Sequence, residues 1–209
     1  MKLNWAERCV VNSPIRVLVQ RFIIRWMKKN TALQPGAKIL EIGCGRGVGA
    51  ALIQKEFAPQ SLHALDLDHL MIRRAQAYLP NQGAGIFLYV GDVLHLPYPD
   101  RSLDAVFGFG VLHHLPDWPG GLAEIARVLK PGGRYFLEEF YPPFYQNRVA
   151  RRIFLHPEEN RFHSADLHQA LQAAGFTWEG TLEQKKLGVL GVAVKKDGGF
   201  GGRVNGRDS

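Results

Sequence analysis

Ile39-Leu40-Glu41-Ile42-Gly43-Cys44-Gly45-Arg46-Gly47 decides the fold. A short apolar run closed at once by three spaced glycines reads as a strand ending in a tight turn. The residues that follow, Gly49 to Glu56, read as a helix, so the unit is strand, glycine turn, helix. Only glycine lets the backbone turn this sharply and lets a ligand lie against it with no Cβ in the way. The loop stands at the carboxyl end of its strand, where open α/β sheets bind their ligands.

Outward from this unit the same alternation repeats. Ser61 to Leu67 reads as a strand, Leu70 to Tyr78 as a helix and Ile86 to Val90 as a strand. After a loop with Pro97 and Pro99 come a strand over Leu103 to Phe109 and a helix over Leu122 to Leu129, stopped by Lys130-Pro131-Gly132-Gly133. Arg134 to Phe140 is the fifth strand and Ser164 to Ala174 a capped helix, and Phe176 to Glu183 with Leu187 to Val194 form a terminal antiparallel hairpin. The expected fold class is α/β: a doubly wound, mostly parallel seven-stranded sheet, Rossmann-like, with helices on both faces. Ahead of it, Ile15 to Met27 reads as an amphipathic basic helix, with Ile15, Val19, Phe22, Ile23 and Trp26 on one face and Arg21, Arg25 and Lys28 opposite. The organisation is a helical cap over residues 1–30, one domain over 31–196 with a variable substrate-side segment at 141–163, and a glycine-rich tail over 197–209 expected to be disordered.

The chain has 209 residues, enough for one domain with a full core, and its 46% apolar and 22% charged residues are ordinary for a globular protein. Arg16, Gln20, Arg21 and Arg25 interrupt the first apolar stretch, which fits neither a signal peptide nor a spanning helix. With only two cysteines, Cys9 and Cys44, a disulfide framework is not expected, and the reading is cytoplasmic. A net charge of +7 adds weight to an anionic partner, although part of it sits near the chain ends.

Three acids end successive strands: Glu41, Asp66 in Ala64-Leu65-Asp66-Leu67-Asp68, and Asp92 in Gly91-Asp92-Val93. Gly45, Gly47 and Ala50 also satisfy the loose spacing of a dinucleotide loop, with Asp66 near the ribose-binding position, so a nicotinamide dehydrogenase stays open on spacing. Charge separates the two readings. Glu41 would oppose a pyrophosphate seated on the helix N-terminus, whereas the ammonium and sulfonium of S-adenosylmethionine suit a carboxylate. Asp66 has acceptors for both ribose hydroxyls, Leu67 would flank the adenine, and Asp92 would accept from its exocyclic amine.

On these residues, together with Leu96-Pro97-Tyr98, Leu103-Asp104-Ala105-Val106, Val111-Leu112-His113-His114-Leu115 and Val128-Leu129-Lys130-Pro131-Gly132-Gly133, the chain resembles the class I S-adenosylmethionine-dependent methyltransferases. Within that class it is similar to the ubiquinone and menaquinone biosynthesis group, over roughly residues 37–140. The resemblance implies that Asp66 holds the ribose and Asp92 the adenine. It also implies that the loop with Gly43, Cys44 and Gly45 holds the methionine part, and that Gly108, Phe109 and Gly110 lie near the methionine end. The family often carries polar residues where this chain has Gly108 and Phe109.

The remaining reactive residues divide. Cys44 between glycines reads as a small filler. His113 and His114 stand at the rim after the fourth strand, where a base would take a proton from an acceptor hydroxyl; His114 is preferred by the resemblance. Asp104 begins its strand at the edge away from the crevice and reads as an anchor. Tyr141-Pro142-Pro143-Phe144 reads as a loop, and His156, His163 and His168 with Glu158 and Glu159 lack metal-ligand spacing, so no metal is expected. The expected activity is methyl transfer to a small apolar or aromatic acceptor; the alternatives are the dehydrogenase, a non-catalytic member of the methyltransferase fold that uses its basic surface, and a nucleic-acid methyltransferase, the last disfavoured for want of an appended binding module. The first helix then serves either as a lid over the crevice or as a peripheral contact with an anionic membrane.

Overall fold

The computed structural model describes residues 13–79, 85–145 and 161–197. In chain order these form α1 (Pro14–Asn30), β1 (Lys38–Ile42), α2 (Val48–Phe57), β2 (Ser61–Asp66), α3 (His69–Tyr78), β3 (Ile86–Val90) and β4 (Leu103–Phe109). A single 3-10 turn over Leu112–His114 leads to α4 (Trp118–Val128), β5 (Leu129–Phe140), the short α5 (Pro142–Tyr145), α6 (Ser164–Ala173), β6 (Phe176–Gln184) and β7 (Gly188–Lys195).

β1 is a five-residue run buried at every position after Lys38, the pattern of a strand covered on both faces. It pairs in parallel with β2, Ile42 beside Leu65, and with β4, Ile42 beside Gly108. The whole sheet has the order β3-β2-β1-β4-β5-β7-β6. β7 runs antiparallel to both β5 and β6, so the terminal hairpin closes the sheet as the sequence predicts. This reversed insertion departs from the 3-2-1-4-5-6 order of the dinucleotide-binding fold.

Alternating side chains split the core in two. One cluster joins Leu40, Ile42, Val106, Tyr135 and Leu137 to α4 and α6; the other joins Ile39, Phe107 and Phe136 to α1, α2 and α3. The chain therefore turns back at the carboxyl edge of β1, β2, β3 and β4, and the loops there carry the candidate residues.

Two local expectations change. Tyr141-Pro142-Pro143-Phe144 is not all loop, since Pro142–Tyr145 forms one helical turn, with proline tolerated where the first N–H groups have no intrahelical partner. In α1 the inward face is Gln20, Ile23, Ile24 and Met27, while Ile15, Val19 and Phe22 face solvent. The broad apolar stripe pointed to the wrong side because α1 has more apolar residues than its buried face uses. The cap expected over 1–30 is in its described part a helix packed on the sheet; residues 1–12 and most of the glycine-rich tail lie outside the described residues.

Candidate cofactor and active site

The glycine loop is stitched to β2. The Cys44 N–H donates to Leu65 O (2.9 Å), the Gly45 N–H to Asp66 Oδ2 (2.9 Å), and the Gly47 N–H to Cys44 O (2.9 Å). Gly45 and Gly47 take φ of 55° and 88°, the left-handed region that side chains resist. A Cβ on Gly45 would meet nothing within 4 Å among the described residues, which leave open space on that side of the loop backbone. Directly beneath, Glu41 is almost wholly buried. Its carboxyl accepts from the Ala50 N–H, yet Oε2 has no partner among the described residues. Burial first, and the charge of Asp66 second, push the Glu41 carboxyl well above its ordinary range.

Asp66 ends β2 with both oxygens engaged: Oδ2 by Gly45 and Oδ1 by the Asp68 N–H at 2.8 Å. A carboxylate offers about four acceptor positions, so room for further donors remains. Burial raises the Asp66 pKa. Leu67 follows, exposed at the rim. Gly91 donates to Asp66 O at 3.1 Å and lies against Tyr89, and Asp92 accepts from the Leu94 N–H at 3.0 Å while staying open to solvent. Val93 sits at the same turn, but its side chain belongs to the core.

Gly108 also points inward. A Cβ there would stand 3.0 Å from Tyr135 Oη and 3.2 Å from Ile42 Cδ1, so a family-type polar side chain would enter the core. Phe109 is half-buried beside Phe107, ring centroids 6.2 Å apart. Next comes the histidine turn, and here the structure supplies a residue that sequence reading missed. Glu139, fully buried near the end of β5, accepts from the N–H groups of Val111 (3.1 Å), Leu112 (2.9 Å) and His113 (3.3 Å), with its Oε2 2.7 Å from His113 Nδ1. The His113 ring lies 4.3 Å from that of His114, 5.7 Å from Tyr145 and 5.9 Å from Phe140. Two adjacent acids, Glu138-Glu139, just before the end of the fifth strand were the only sequence signal for this pair.

Other candidates resolve into structural roles. The buried Cys44 thiol is pushed up by burial and by Glu41 and Asp66, which disfavours a thiolate nucleophile. Asp104 accepts from the Lys38 N–H (2.8 Å) and pairs with Lys130 (2.6 Å), at the opposite edge of the sheet. His163 precedes α6, its N–H donating to Asp166 (2.8 Å), and His168 contacts Glu183 (2.8 Å); His156, Glu158 and Glu159 lie outside the described residues. Among the described residues, no group of three or more His, Cys, Asp or Glu is arranged to hold a metal, and no helix is long and apolar enough to cross a membrane.

Residues 40–137 match the family described as "Methyltransferase domain". Over that stretch the chain is similar to methyltransferase domains. It is 34% identical over 117 residues to a sterol 24-C-methyltransferase of Gibberella zeae, a stretch spanning 55% of this chain and 30% of that one. It is 39% identical over 104 residues to a fatty-acid O-methyltransferase of Mycolicibacterium smegmatis, spanning 49% of this chain and 36% of that one. The chain thus spans about a third of the length of these relatives. In fold it is similar to a SAM-dependent methyltransferase from Aquifex aeolicus, with a TM-score of 0.73 at 19% identity, covering 92% of this chain and 99% of that one. These findings support the class and its cofactor, S-adenosylmethionine; the finer likeness to the ubiquinone group is not among them. The residues present fit that cofactor: the methyltransferase loop combines a glycine with open space at its Cβ position and a buried carboxyl oxygen lacking a partner.

Proposed function

We propose that the protein transfers a methyl group from S-adenosylmethionine to a small apolar or aromatic acceptor. When bound, the cofactor supplies an electrophilic sulfonium methyl. This chain would hold it through Glu41 toward its cationic part, the loop of Gly43, Cys44 and Gly45 along the methionine, Asp66 at the ribose, and Leu67 with Gly91, Asp92 and Val93 about the adenine. Gly108 and Phe109 would contribute backbone near the methionine end, since their side-chain positions are committed to packing.

The observation that carries the acceptor class is the aromatic setting of the histidine turn. Phe140 stacks on Phe144 with centroids 5.0 Å apart, and Tyr145 stacks beside His113. Such a wall favours an apolar body and excludes water from the reacting atoms. The relatives' names, a sterol and a fatty-acid methyltransferase, point the same way. His114 is the proposed proton acceptor for a hydroxyl substrate, with His113 its neighbour fixed by Glu139. A lipid-like acceptor met at an anionic membrane is a second reading, favoured by the outward apolar residues of α1.

The test is transfer of labelled methyl from the donor into small-molecule and lipid extracts, with calorimetry of S-adenosylhomocysteine and NAD alongside. Label in an apolar product and binding of S-adenosylhomocysteine alone are expected. Label confined to nucleic acid, or binding of NAD in its place, would overturn the proposal.

A further inference from the structure

The outer side of α1 is apolar where nothing described covers it. Ile15, Leu18, Val19 and Phe22 recur at helical spacing and share one face, with relative exposures of 72%, 63%, 43% and 65%. The opposite face, Ile23, Ile24 and Met27, is already spent on the core. Four large exposed apolar side chains on adjacent turns form a patch that soluble surfaces rarely present without a partner.

Charge identifies the partner. α1 holds Arg16, Arg21, Arg25, Lys28 and Lys29 and no acid; α3 holds Arg73 and Arg74 and no acid; α2 adds Lys55 and Glu56. The helices on the other face of the sheet reverse this balance, with Glu124 and Asp166 against Arg127. Glu56 meets Arg25 at 3.3 Å and Lys28 at 3.5 Å, exposed pairs of small energetic weight. One helical layer is therefore basic around an apolar wedge. Arg16 pairs with Glu138 two residues before β5 ends at Phe140, which sets the wedge at the same edge of the sheet as the histidine turn.

We propose that the α1 face is a peripheral docking surface for an anionic lipid bilayer, with Ile15, Leu18, Val19 and Phe22 entering the headgroup boundary and Arg21 and Lys29 meeting lipid phosphates. Basic charge alone suits a nucleic acid equally; an apolar wedge flanked by unpaired basic residues is the pattern of a helix lying in an anionic bilayer surface. This deepens the second reading above, because it places the entrance to the site beside the source of a lipid-like acceptor.

The test is co-sedimentation of the full chain with vesicles of phosphatidylcholine, alone or with about one third phosphatidylglycerol. Binding to the anionic vesicles at least about tenfold tighter than to the neutral ones is expected. Leu18→Glu/Phe22→Glu should weaken it about tenfold or more, and Arg21→Ala/Lys29→Ala about 30-fold at low salt. The thermal midpoint and S-adenosylhomocysteine affinity of both variants should stay those of the parent. Absence of vesicle binding by the parent, parental binding by Leu18→Glu/Phe22→Glu, tighter binding to a nucleic-acid duplex than to vesicles, or a parental dimer dissolved by that variant would each overturn the proposal. Methyl transfer measured on the same samples separates this failure from failure of the proposed activity.

Discussion

Replacing Glu41 by glutamine should stabilise the ligand-free protein and weaken donor binding at the same time. The side chain is buried beneath the glycine loop, with one oxygen accepting from Ala50 and Oε2 without a partner. A buried polar group left unsatisfied costs about 1–3 kcal/mol, and more when charged. The raised pKa gives the sign. The folded state keeps its proton to higher pH than the unfolded state, so the stability linked to Glu41 is complete below the ordinary value of 4.5 and is lost as pH rises through the raised one. Glutamine keeps the acceptor for Ala50 and carries no charge at any pH. At neutral pH the variant should be the more stable, because folding no longer has to hold a proton on this side chain, and the midpoint should rise by about 2–4 °C for each kcal/mol gained in a domain of this size. The donor brings a cation, and a charge-assisted hydrogen bond is worth about 1.5–3 kcal/mol, so affinity should fall about 10- to 100-fold. Parental donor affinity should also rise with pH, because Glu41 must ionise to pair with a cation. Differential scanning calorimetry from pH 4 to 8, with titration of S-adenosylhomocysteine and S-adenosylmethionine, reads all three quantities. A variant less stable than its parent at neutral pH and equal to it in donor affinity would refute the reasoning.

Asp66→Ala should lower donor affinity by about 100-fold, and it should also cost about 2 kcal/mol of stability in calorimetry, since it removes the bonds from Gly45 and Asp68. A rim residue with no structural duty would leave the midpoint unchanged. His114→Ala should depress kcat by about 10²-fold with the donor KM unaltered if it accepts a proton; equal losses in both constants would mean packing. Glu139→Gln should lower kcat by roughly tenfold with donor affinity unaltered, because the turn that carries His113 and His114 loses charge-assisted bonds; equal losses in kcat and donor affinity would confine Glu139 to a structural role. Gly49→Ala, which in a free helix would gain about 1 kcal/mol, should instead destabilise the protein, because its Cβ would overlap Glu41 Oε1; a raised midpoint would show that Glu41 yields easily.

The sheet was legible because each strand is a compact apolar run closed by a residue with a physical reason to stop it: glycines after Ile42, Asp68 capping α3 after Asp66, Asp92 after Gly91. The antiparallel hairpin was legible from two strand-like runs with only a short polar turn between them. The orientation of α1 was not. Periodicity reports that a helix has an apolar stripe, but α1 has two, and only the position of the sheet selects Ile23, Ile24 and Met27 for burial. Inward-facing Gly108 and Val93 show the same limit, because a motif places a residue at a turn while the pleat decides which way its side chain points.

Two buried glutamates at the carboxyl edge of the sheet carry the strongest physical contrast in the site. Glu139 is saturated: three backbone N–H groups and one imidazole converge on its two oxygens. Such a carboxylate fixes what surrounds it, here the turn that carries His113 and His114, and has little capacity to answer a ligand. Glu41 accepts from Ala50 and leaves Oε2 buried and without a partner, a state that stability alone would not favour. Sequence reading singled out Glu41 because it adjoins the glycine loop, and passed over Glu139 because its partners lie 26 to 28 positions upstream. Motif analysis finds groups whose chemistry is local; a positioning carboxylate is defined by long-range closure and becomes visible only when β4 and β5 are paired, Phe109 beside Glu138. On the proposed reading the two divide the work, one holding the acceptor side rigid and the other kept short of a partner until the cationic donor arrives.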